Sequence, residues 1–362
     1  MQKIKVAILG ATGMVGQNFI NLLVKHSWFE IGFLAASDRS SGKTLKEAVK
    51  NKNFLKNVPD SILNKIILNI EKDAEYIAKN TDFAFCAVDM PKEAVQELEY
   101  KYAKLECPIV SNNSAHRCTK DVPMIIPEIN YKHLEIIKFQ KERLNTKHGF
   151  IVTKPNCSIQ TFVPALHPLK NLGLRNIILC TYQAVSGAGK TIESFSEIQD
   201  NIIPFIENEE SKTEEEPLKI WGEIKGKEII SSNLPIISSQ CSRVPVSHGH
   251  MATVFVKFDQ NISKKDIIDK WTNFKFDFDL PSSPKNLIEY NEDLFRPQTR
   301  LDRDRGGGMT ITTGRLRKDP ILDYKFTCLS HNIIRGSAGG SVLLAELLVK
   351  KKYISSSSCV YR

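Results

Sequence analysis

The spacing of hydrophobic residues changes abruptly near the N-terminus of the chain. KIKVAIL, at residues 3–9, is a nearly continuous apolar run, whereas GMVGQNFINLLVK, at residues 13–25, repeats apolar residues at helical spacing. The first pattern is typical of a buried strand and the second of an amphipathic helix. The glycines between them predict a tight turn, so the chain is expected to begin as strand, turn and helix.

Apolar runs and helical patterns continue to alternate through the first part of the chain. Further buried strands are indicated at FEIGFLAAS, DFAFCAV and CPIVSNN, and a helix at AVQELEYKYAK between the last two. Strands that alternate with helices form a parallel sheet with right-handed crossovers. We therefore expect an α/β fold that starts with a Rossmann-like, doubly wound nucleotide-binding domain at residues 1–155.

Longer strand patterns follow in the second half, at RNIILCTYQAV, MATVFVKF and GMTITTGRLR. They predict a second domain of the α+β type with a mixed sheet at residues 156–332, in which the acidic segment ENEESKTEEEP is expected to be a loop. The helix pattern in GSAGGSVLLAELLVKKKY predicts that residues 333–354 return to pack on the first domain. Residues 355–362 are expected to be a disordered tail.

Composition narrows the class of protein. A chain of 362 residues with 41% hydrophobic residues is long enough for two globular domains, and no apolar run approaches the ~20 residues that span a bilayer. The basic N-terminus leads into the glycine turn without a signal-peptide cleavage site, which predicts a cytoplasmic protein. The net charge of +9 is spread along the chain without a dominant basic block, so neither nucleic acid nor a membrane is expected as a partner.

Eight cysteines are present, and none forms a C-x-x-C pair. Zinc and thioredoxin-like sites are therefore not predicted, and no metal is expected. In a reducing compartment a cysteine is by default a small buried hydrophobic residue. A functional role for any one of the eight has to be argued from its neighbours.

The turn after the first strand has the spacing of a phosphate-binding loop. Its glycines follow the pattern G-x-x-G-x-x-G between a strand and a helix, which lets the backbone approach a pyrophosphate at the helix N-terminus. This context predicts a dinucleotide site formed by Gly10, Thr12, Gly13, Met14, Val15 and Gly16.

The end of the second predicted strand indicates which dinucleotide binds. Asp38 at this point would favour NAD, because an acidic residue there binds the ribose 2′-hydroxyl. Arg39, with Ser37, Ser40 and Lys43 around it, instead favours the 2′-phosphate of NADP. We predict NADP as the cofactor, with Ser37, Arg39 and Ser40 contacting it and Asp38 pointing away.

The stretch VTKPNCSIQT, at residues 152–161, places a cysteine between a strand pattern and a helix pattern. The dipole of a helix N-terminus favours a thiolate, so Cys157 is positioned as a nucleophile. Beside a nicotinamide, thiolate attack on an aldehyde followed by hydride transfer leaves a thioester, which phosphate or another acceptor resolves. Such chemistry needs an acid and base at neutral pH. His248 and His250, which follow Arg243, are both candidates, and the residues alone do not separate them.

Seven segments together resemble the aspartate-semialdehyde dehydrogenase family, in its archaeal and fungal-like branch. They occur in family order between about residues 3 and 352: GATGMVGQ, SNNSAHR, PNCS, TYQAVSGAGK, EPLKI, CSRVPVSHGH and RPQTRLDRDRGGGMT. The resemblance implies an NADP-binding domain and a catalytic and oligomerisation domain, assembled as a homodimer or homotetramer. The last segment is given no catalytic role. Its charges alone would suit a surface loop held by ion pairs, whereas the resemblance implies a position near the subunit interface and the active site.

The resemblance also implies roles for individual residues. Cys157 resembles the nucleophile, Gln183 the residue that orients the substrate, and His250, rather than His248, the acid and base. Arg243 resembles the clamp for the substrate α-carboxylate, which suits a planar guanidinium. The other implied substrate contacts are Glu216 for the ammonium group, Lys219 for an anionic group, Arg117, Asn113 and Ser114 for phosphate, and Asn156 for the oxyanion pocket. The other implied cofactor contacts are Ser186, Gly187 and Asn332, of which Asn332 is expected to contact the nicotinamide carboxamide or the ribose.

The implied reaction is the NADPH-dependent reductive dephosphorylation of L-aspartyl 4-phosphate to L-aspartate 4-semialdehyde, through a thioester on Cys157, in lysine, threonine and methionine biosynthesis. Three alternatives share parts of this pattern. A malonyl-CoA reductase, as an acyl-CoA reductase on the same scaffold, would need no ammonium contact such as Glu216. An N-acetylglutamyl-phosphate reductase matches the motifs less well, and a non-catalytic NADP-binding regulator would need none of Cys157, Gln183 and His250.

Overall fold

The computed structural model describes residues 3–51 and 54–356, and the described chain is organised by two six-stranded sheets and a two-stranded hairpin. Most of the segment expected to be a disordered tail, residues 357–362, lies outside the described residues. The strands are β1 (Ile4–Leu9), β2 (Phe29–Ala36), β3 (Ile67–Asn69), β4 (Phe83–Cys86), β5 (Ile109–Ser111), β6 (Ile151–Thr153), β7 (Leu174–Ala184), β8 (Glu223–Lys225), β9 (Glu228–Ile230), β10 (Ile236–Val244), β11 (His250–Phe258), β12 (Ile288–Asn291), β13 (Ile311–Lys318) and β14 (Tyr324–Ser330). The α-helices are α1 (Met14–Leu23), α2 (Leu45–Ala48), α3 (Asp60–Leu63), α4 (Ala74–Lys79), α5 (Lys92–Lys104), α6 (Pro127–Asn130), α7 (Ile137–Leu144), α8 (Ile159–Leu166), α9 (Glu209–Ile220), α10 (Lys264–Thr272), α11 (Thr299–Asp302) and α12 (Gly339–Lys350).

The first sheet is parallel throughout and has the strand order β3-β2-β1-β4-β5-β6. The order reverses beside β1, so the loops that follow β1 and β4 diverge and leave a crevice at the carboxyl ends of the strands. Residues of α1 and α12 cover one face of the sheet, and residues of α4 and α5 cover the other. This doubly wound sheet confirms the fold class predicted for the first half of the chain.

Burial on both faces explains why the strands of this sheet appear in the sequence as continuous apolar runs. Every residue of β4 and β6 is buried, as expected for a parallel sheet covered by helices on both sides. The C-terminal helix α12 is buried from residue 339 to residue 348. Each leucine buried in this way contributes roughly 1.5–3 kcal/mol, which holds the end of the chain on the first sheet.

The second sheet is mixed and has the order β10-β7-β11-β14-β13-β12. The outer pairs β10–β7 and β12–β13 are parallel, and the pairs between them are antiparallel. Helices α8 and α10 pack on one face, where Trp271 is 1% exposed. Ile178, Tyr182 and Ile236 are exposed on β7 and β10, so the opposite face carries apolar side chains without a cover.

The acidic segment ENEESKTEEEP is mostly a helix, and its prediction as a loop was wrong. It forms most of α9, which buries Glu209, Thr213 and Glu216 together with apolar residues at its C-terminal end. Glutamate and lysine are good helix formers, and buried positions three and four residues apart share one face of a helix. The lysine-rich turns after it form the β8–β9 hairpin.

The segment RPQTRLDRDRGGGMT, whose charges alone would suit a surface loop, is built around a buried carboxylate. Asp302, at the end of α11, is 1% exposed and pairs with both Arg296 and Arg305. Arg303 donates a hydrogen bond to the carbonyl oxygen of His248 at 3.1 Å, so the segment braces the chain just before β11.

Among the helices of the described residues, none combines the length and apolar character needed to cross a bilayer.

Candidate active site

Cys157 lies in the turn between β6 and α8, where the chain leaves the first sheet. Its Sγ atom is 3.3 Å from Nε2 of His250, the first residue of β11 in the second sheet. The Asn156 side chain orders this turn, because its Oδ1 accepts hydrogen bonds from the backbone N–H and the hydroxyl of Ser158 at 2.9 and 3.1 Å. The predicted nucleophile and one of the two candidate histidines are therefore in direct contact.

The His250 ring is held in one tautomer. The backbone N–H of Ala184 donates to Nδ1 at 3.0 Å, so the proton of the neutral ring resides on Nε2, which faces the Cys157 sulfur. Burial, followed by the positive charge of Arg243, lowers the pKa of His250 well below its usual value. His250 is therefore a neutral ring that presents an N–H to sulfur, whereas His248 contacts the Ser186 hydroxyl at 2.9 Å.

Ala184 orients Arg243 as well, because its carbonyl oxygen accepts a hydrogen bond from Nη1 at 2.9 Å. The backbone of Gly187 passes close to both functional groups. A Cβ at this position would lie 2.8 Å from Nη1 of Arg243 and 3.0 Å from Cε1 of His250. The end of β7 and the turn after it thereby fix the guanidinium and the imidazole relative to each other.

The thiol does not have the lowered pKa that the helix dipole predicted. Burial raises the pKa of Cys157, and the negative charge of Glu209 adds to this effect, while Lys154, Arg243 and Arg117 act in the opposite direction. Lys154 is 2% exposed, and burial lowers its pKa to about 7. Burial and these neighbouring charges therefore set the direction in which the pKa of Cys157 is shifted.

Glu209, which was not predicted as a site residue, is the centre of the polar contacts beside Cys157. One carboxylate oxygen accepts hydrogen bonds from Asn156 at 2.8 Å and Lys212 at 3.1 Å, and the other accepts one from Gln183 at 3.0 Å. The spacing E-x-x-K occurs twice in α9, at 209–212 and at 216–219, and positions seven apart share one helix face. Treating the segment as a helix would have identified both pairs.

Glu216 and Lys219 are engaged within the protein. Glu216 accepts a hydrogen bond from Nη1 of Arg117 at 2.9 Å and another from the backbone N–H of Asn156 at 2.7 Å. The Lys219 ammonium donates to three backbone carbonyls of the segment 117–122, at 2.7, 2.7 and 3.0 Å. Because an ammonium has three protons, Lys219 is fully used in holding this segment to α9.

The SNNSAHR segment follows β5 and brings the predicted phosphate contacts next to Glu216. Asn113 is anchored by its side chain, which donates to the carbonyl oxygen of Val88 at 2.8 Å, and Ser114 is exposed. Arg117 is 7% exposed, and its Nε atom has no hydrogen-bond partner within the described residues. A buried guanidinium N–H without a partner is suited to an anionic ligand.

The glycine loop after β1 fits a dinucleotide. Gly10 has a φ of +91°, and a Cβ there would lie 2.3 Å from the carbonyl oxygen of Ala87. A Cβ on Gly16 would lie 2.1 Å from the carbonyl oxygen of Gly10, so both positions require glycine. Gly13 is exposed and precedes α1 without a side-chain cap, which leaves the N–H groups of the first turn open to a pyrophosphate. The loop side chains Thr12, Met14 and Val15 are partly buried.

The predicted ribose contacts Ser37 and Arg39 are exposed in the turn after β2, and Ser40 in the same turn is 8% exposed. Asn332, predicted at the nicotinamide end, is 1% exposed. Its Oδ1 accepts the backbone N–H of Gly249 at 2.8 Å and its Nδ2 donates to Ser186 at 2.9 Å. Asn332 therefore ties the turn before His250 to the turn after β7.

Comparisons with known proteins match both halves of the chain. The family model described as "Semialdehyde dehydrogenase, NAD binding domain" matches residues 5–137, and "Semialdehyde dehydrogenase, dimerisation domain" matches residues 166–335. Proteins named aspartate-semialdehyde dehydrogenase from Archaeoglobus fulgidus and Schizosaccharomyces pombe are 43% and 36% identical, each over 96% of this chain and over 99% and 98% of their own lengths. The crystal structure of aspartate semialdehyde dehydrogenase with NADP from Candida albicans is 34% identical, with a TM-score of 0.87 over 98% of this chain and 100% of that one.

Proposed function

The chain belongs to the aspartate-semialdehyde dehydrogenase family, and we propose that it catalyses the NADPH-dependent reduction of L-aspartyl 4-phosphate to L-aspartate 4-semialdehyde with release of phosphate. Family membership confirms the resemblance noted in the sequence. The observation that carries the reaction is the 3.3 Å contact between the Cys157 sulfur and the His250 ring, which lie in a chain that also has a dinucleotide loop. The same reaction would place the enzyme in lysine, threonine and methionine biosynthesis.

In the proposed mechanism Cys157 is the nucleophile. Its sulfur forms a bond to the acyl carbon, the bond from that carbon to the phosphate oxygen breaks, the thiol proton ends on the released phosphate, and a thioester remains. NADPH, when bound, supplies the hydride that converts this acyl group to the aldehyde. His250 hydrogen-bonds through Nε2–H to the sulfur before attack and again when the sulfur leaves. The Ala184 N–H keeps the His250 proton on this nitrogen.

The substrate contacts divide by charge. Arg243 binds the α-carboxylate, Gln183 orients the acyl group, and Asn156 shapes the oxyanion pocket. For the phosphate we propose Arg117, whose Nε is buried without a partner in the described chain, together with the segment that carries Asn113 and Ser114. For the ammonium group and an anionic group we favour Glu209 and Lys212 over Glu216 and Lys219. Glu209 contacts Gln183 and Asn156 beside Cys157, whereas all three protons of Lys219 are used on backbone carbonyls.

Replacing Glu209 by glutamine is expected to lower kcat/KM for L-aspartate 4-semialdehyde by about 10–100-fold, mainly through KM, because a hydrogen bond to a charged group is lost. Steady-state rates across substrate concentrations measure this. The matched variant is Glu216→Gln, which should affect protein stability more than KM, because it weakens the buried contact to Arg117. If Glu216→Gln raises KM and Glu209→Gln does not, the ammonium contact belongs to Glu216.

The reaction itself is tested by the absorbance of reduced nicotinamide. Purified protein is mixed with L-aspartate 4-semialdehyde and NADP, with and without inorganic phosphate, and a parallel run uses NAD. Reduction that requires phosphate and is faster with NADP supports the proposal. If NADP is not reduced in this assay but NADPH is oxidised in the presence of malonyl-CoA, the protein is an acyl-CoA reductase instead.

The chain has a dimerisation domain by its family match, and we propose a homodimer formed through the uncovered face of the second sheet. Ile178, 47% exposed on β7, is apolar and lies on that face. Ile178→Asp is expected to convert the dimer to monomers, because it places a charge in an apolar interface. Analytical ultracentrifugation measures this, with Ile321→Asp, 85% exposed beyond the end of β13, as the control that stays dimeric. A dimer that survives Ile178→Asp would exclude this face.

We also propose that residues 1–155 and 333–354 form the NADP-binding domain and that residues 156–332 form the catalytic and oligomerisation domain. The support for this division is that the first sheet ends with β6 and that α12 packs on that sheet. The proposed chemistry needs Cys157 as a free thiol, which suits a reducing cytoplasmic compartment.

A further inference from the structure

Asp38, just after β2, is the one residue at the predicted ribose site that argues against NADP. Its Oδ1 atom accepts a hydrogen bond from Nδ2 of Asn69 at 2.7 Å and another from Nζ of Lys72 at 2.8 Å. Both donors come from the end of β3 and the turn after it, on the side of β2 away from β1. We call Asp38, Asn69 and Lys72 the Asp38 cluster.

The turn after β3 is built to present these donors. Asn69 is 6% exposed and lies beside Ala36 in the parallel register of β2 and β3. Its Oδ1 accepts the backbone N–H groups of Glu71 and Lys72, both at 2.9 Å, and its own N–H donates to Asp73 at 2.7 Å. These bonds fix the Asn69 amide so that its NH₂ group faces Asp38. They also fix the position of the Lys72 backbone, from which its side chain reaches Asp38.

We propose that Asn69 and Lys72 determine cofactor specificity by holding and neutralising Asp38, so that the site accepts a ribose 2′-phosphate beside Arg39. The inference rests on the proposed use of NADP. A 2′-phosphate carries about −1.5 to −2 charges at neutral pH, by analogy with other phosphate monoesters. An unpaired carboxylate beside the 2′-phosphate would repel it. The 2′-hydroxyl of NAD, in contrast, would donate a hydrogen bond to the same carboxylate.

The location of the cluster makes it suitable for a mutational test. The side chains of Lys72 and Asp38 are each 72% exposed, so their ion pair contributes little to folding. Arg39 and Lys43, the other cations of this turn, are also exposed, and Lys43 donates to the Arg39 carbonyl oxygen at 3.0 Å. Removing Lys72 therefore changes the charge at Asp38 without removing the cations of the β2 turn itself.

The experiment is isothermal titration of the full chain with 2′,5′-ADP and with 5′-AMP, which differ only in the 2′-phosphate. Lys72→Met is expected to weaken binding of 2′,5′-ADP about five- to tenfold, the size of one screened charge interaction at short range, and to leave binding of 5′-AMP unchanged or tighter. Adding Asp38→Asn to Lys72→Met should restore 2′,5′-ADP binding. Lys79→Met, which removes an exposed lysine at the end of α4, is the control for net charge and should bind like the wild type.

Three results would overturn the inference. Equal weakening of both nucleotides by Lys72→Met would make Lys72 a general nucleotide contact. Failure of Asp38→Asn to restore binding would mean that Lys72 acts on the phosphate directly. If the wild-type chain binds 5′-AMP as tightly as 2′,5′-ADP, the NADP assignment itself fails, and this outcome is separate from the first two because it needs no variant.

Discussion

Cys157→Ala is expected to abolish turnover, by more than about a thousandfold, while NADPH binding stays close to that of the wild type. The side chain carries the only atom that can form the proposed thioester, and it lies 3.3 Å from His250. Alanine leaves the ring, the glycine loop and the turn before α8 in place. Initial rates at the reduced-nicotinamide band measure turnover, and the fluorescence of bound NADPH measures binding. Turnover at the wild-type rate in this variant would exclude the thioester route.

A second cysteine provides the matched control. Cys118 is exposed and free and has no assigned role in the reaction, so Cys118→Ala removes a thiol but leaves the proposed nucleophile in place and should retain full activity. The intermediate itself is also measurable by mass spectrometry of the intact protein. With L-aspartate 4-semialdehyde and NADP but no phosphate, an acyl adduct should accumulate on the wild type, disappear on addition of phosphate and be absent from Cys157→Ala.

Much of the first domain could be predicted because its physical causes are local. A parallel sheet covered by helices on both faces favours strands that are apolar at nearly every position, and β4 shows this pattern. The turn after β1 needs glycine at positions 10 and 16, because the carbonyl oxygens of neighbouring segments leave no room for a Cβ. Each of these requirements is visible in a short window of sequence.

The contacts that complete the site are not local, and sequence patterns did not reveal them. Glu209 meets Asn156 from 53 positions away, and Asp38 meets Asn69 and Lys72 from 31 and 34 positions away. The tautomer of His250 depends on a backbone N–H, that of Ala184, which almost every residue type would supply. Only the arrangement of β7 beside β11 makes that N–H specific.

Charge misled the prediction in two places for the same reason. In α9 the many carboxylates suggested a solvated loop, although the helix buries Glu209 and Glu216 against partners from other segments. At Cys157 the helix dipole suggested a lowered thiol pKa, although burial raises it. In both cases the environment produced by tertiary packing outweighs the intrinsic preference of the local segment.

Arg335 illustrates a structural role that the sequence did not indicate. It lies in the turn just before α12, is 0% exposed, and forms two parallel hydrogen bonds to Glu128, from Nη1 at 2.6 Å and from Nη2 at 2.9 Å. Its Nε donates to Gln160 of α8 at 3.1 Å. One buried guanidinium thus joins the C-terminal segment to α6 and α8.

Arg335→Ala is expected to lower the free energy of unfolding by about 3–5 kcal/mol, because it leaves the Glu128 carboxylate buried without a counter-charge. Urea denaturation followed by circular dichroism measures this loss. Combining Arg335→Met with Glu128→Leu should recover most of it, since replacing a buried pair by apolar residues of similar size is often neutral. Lys265→Ala, which removes the exposed pair to Asp269, serves as the control and should not shift the denaturation midpoint. A loss below about 1 kcal/mol for Arg335→Ala would show that water reaches Glu128 and that the pair does not hold the C-terminal segment in place.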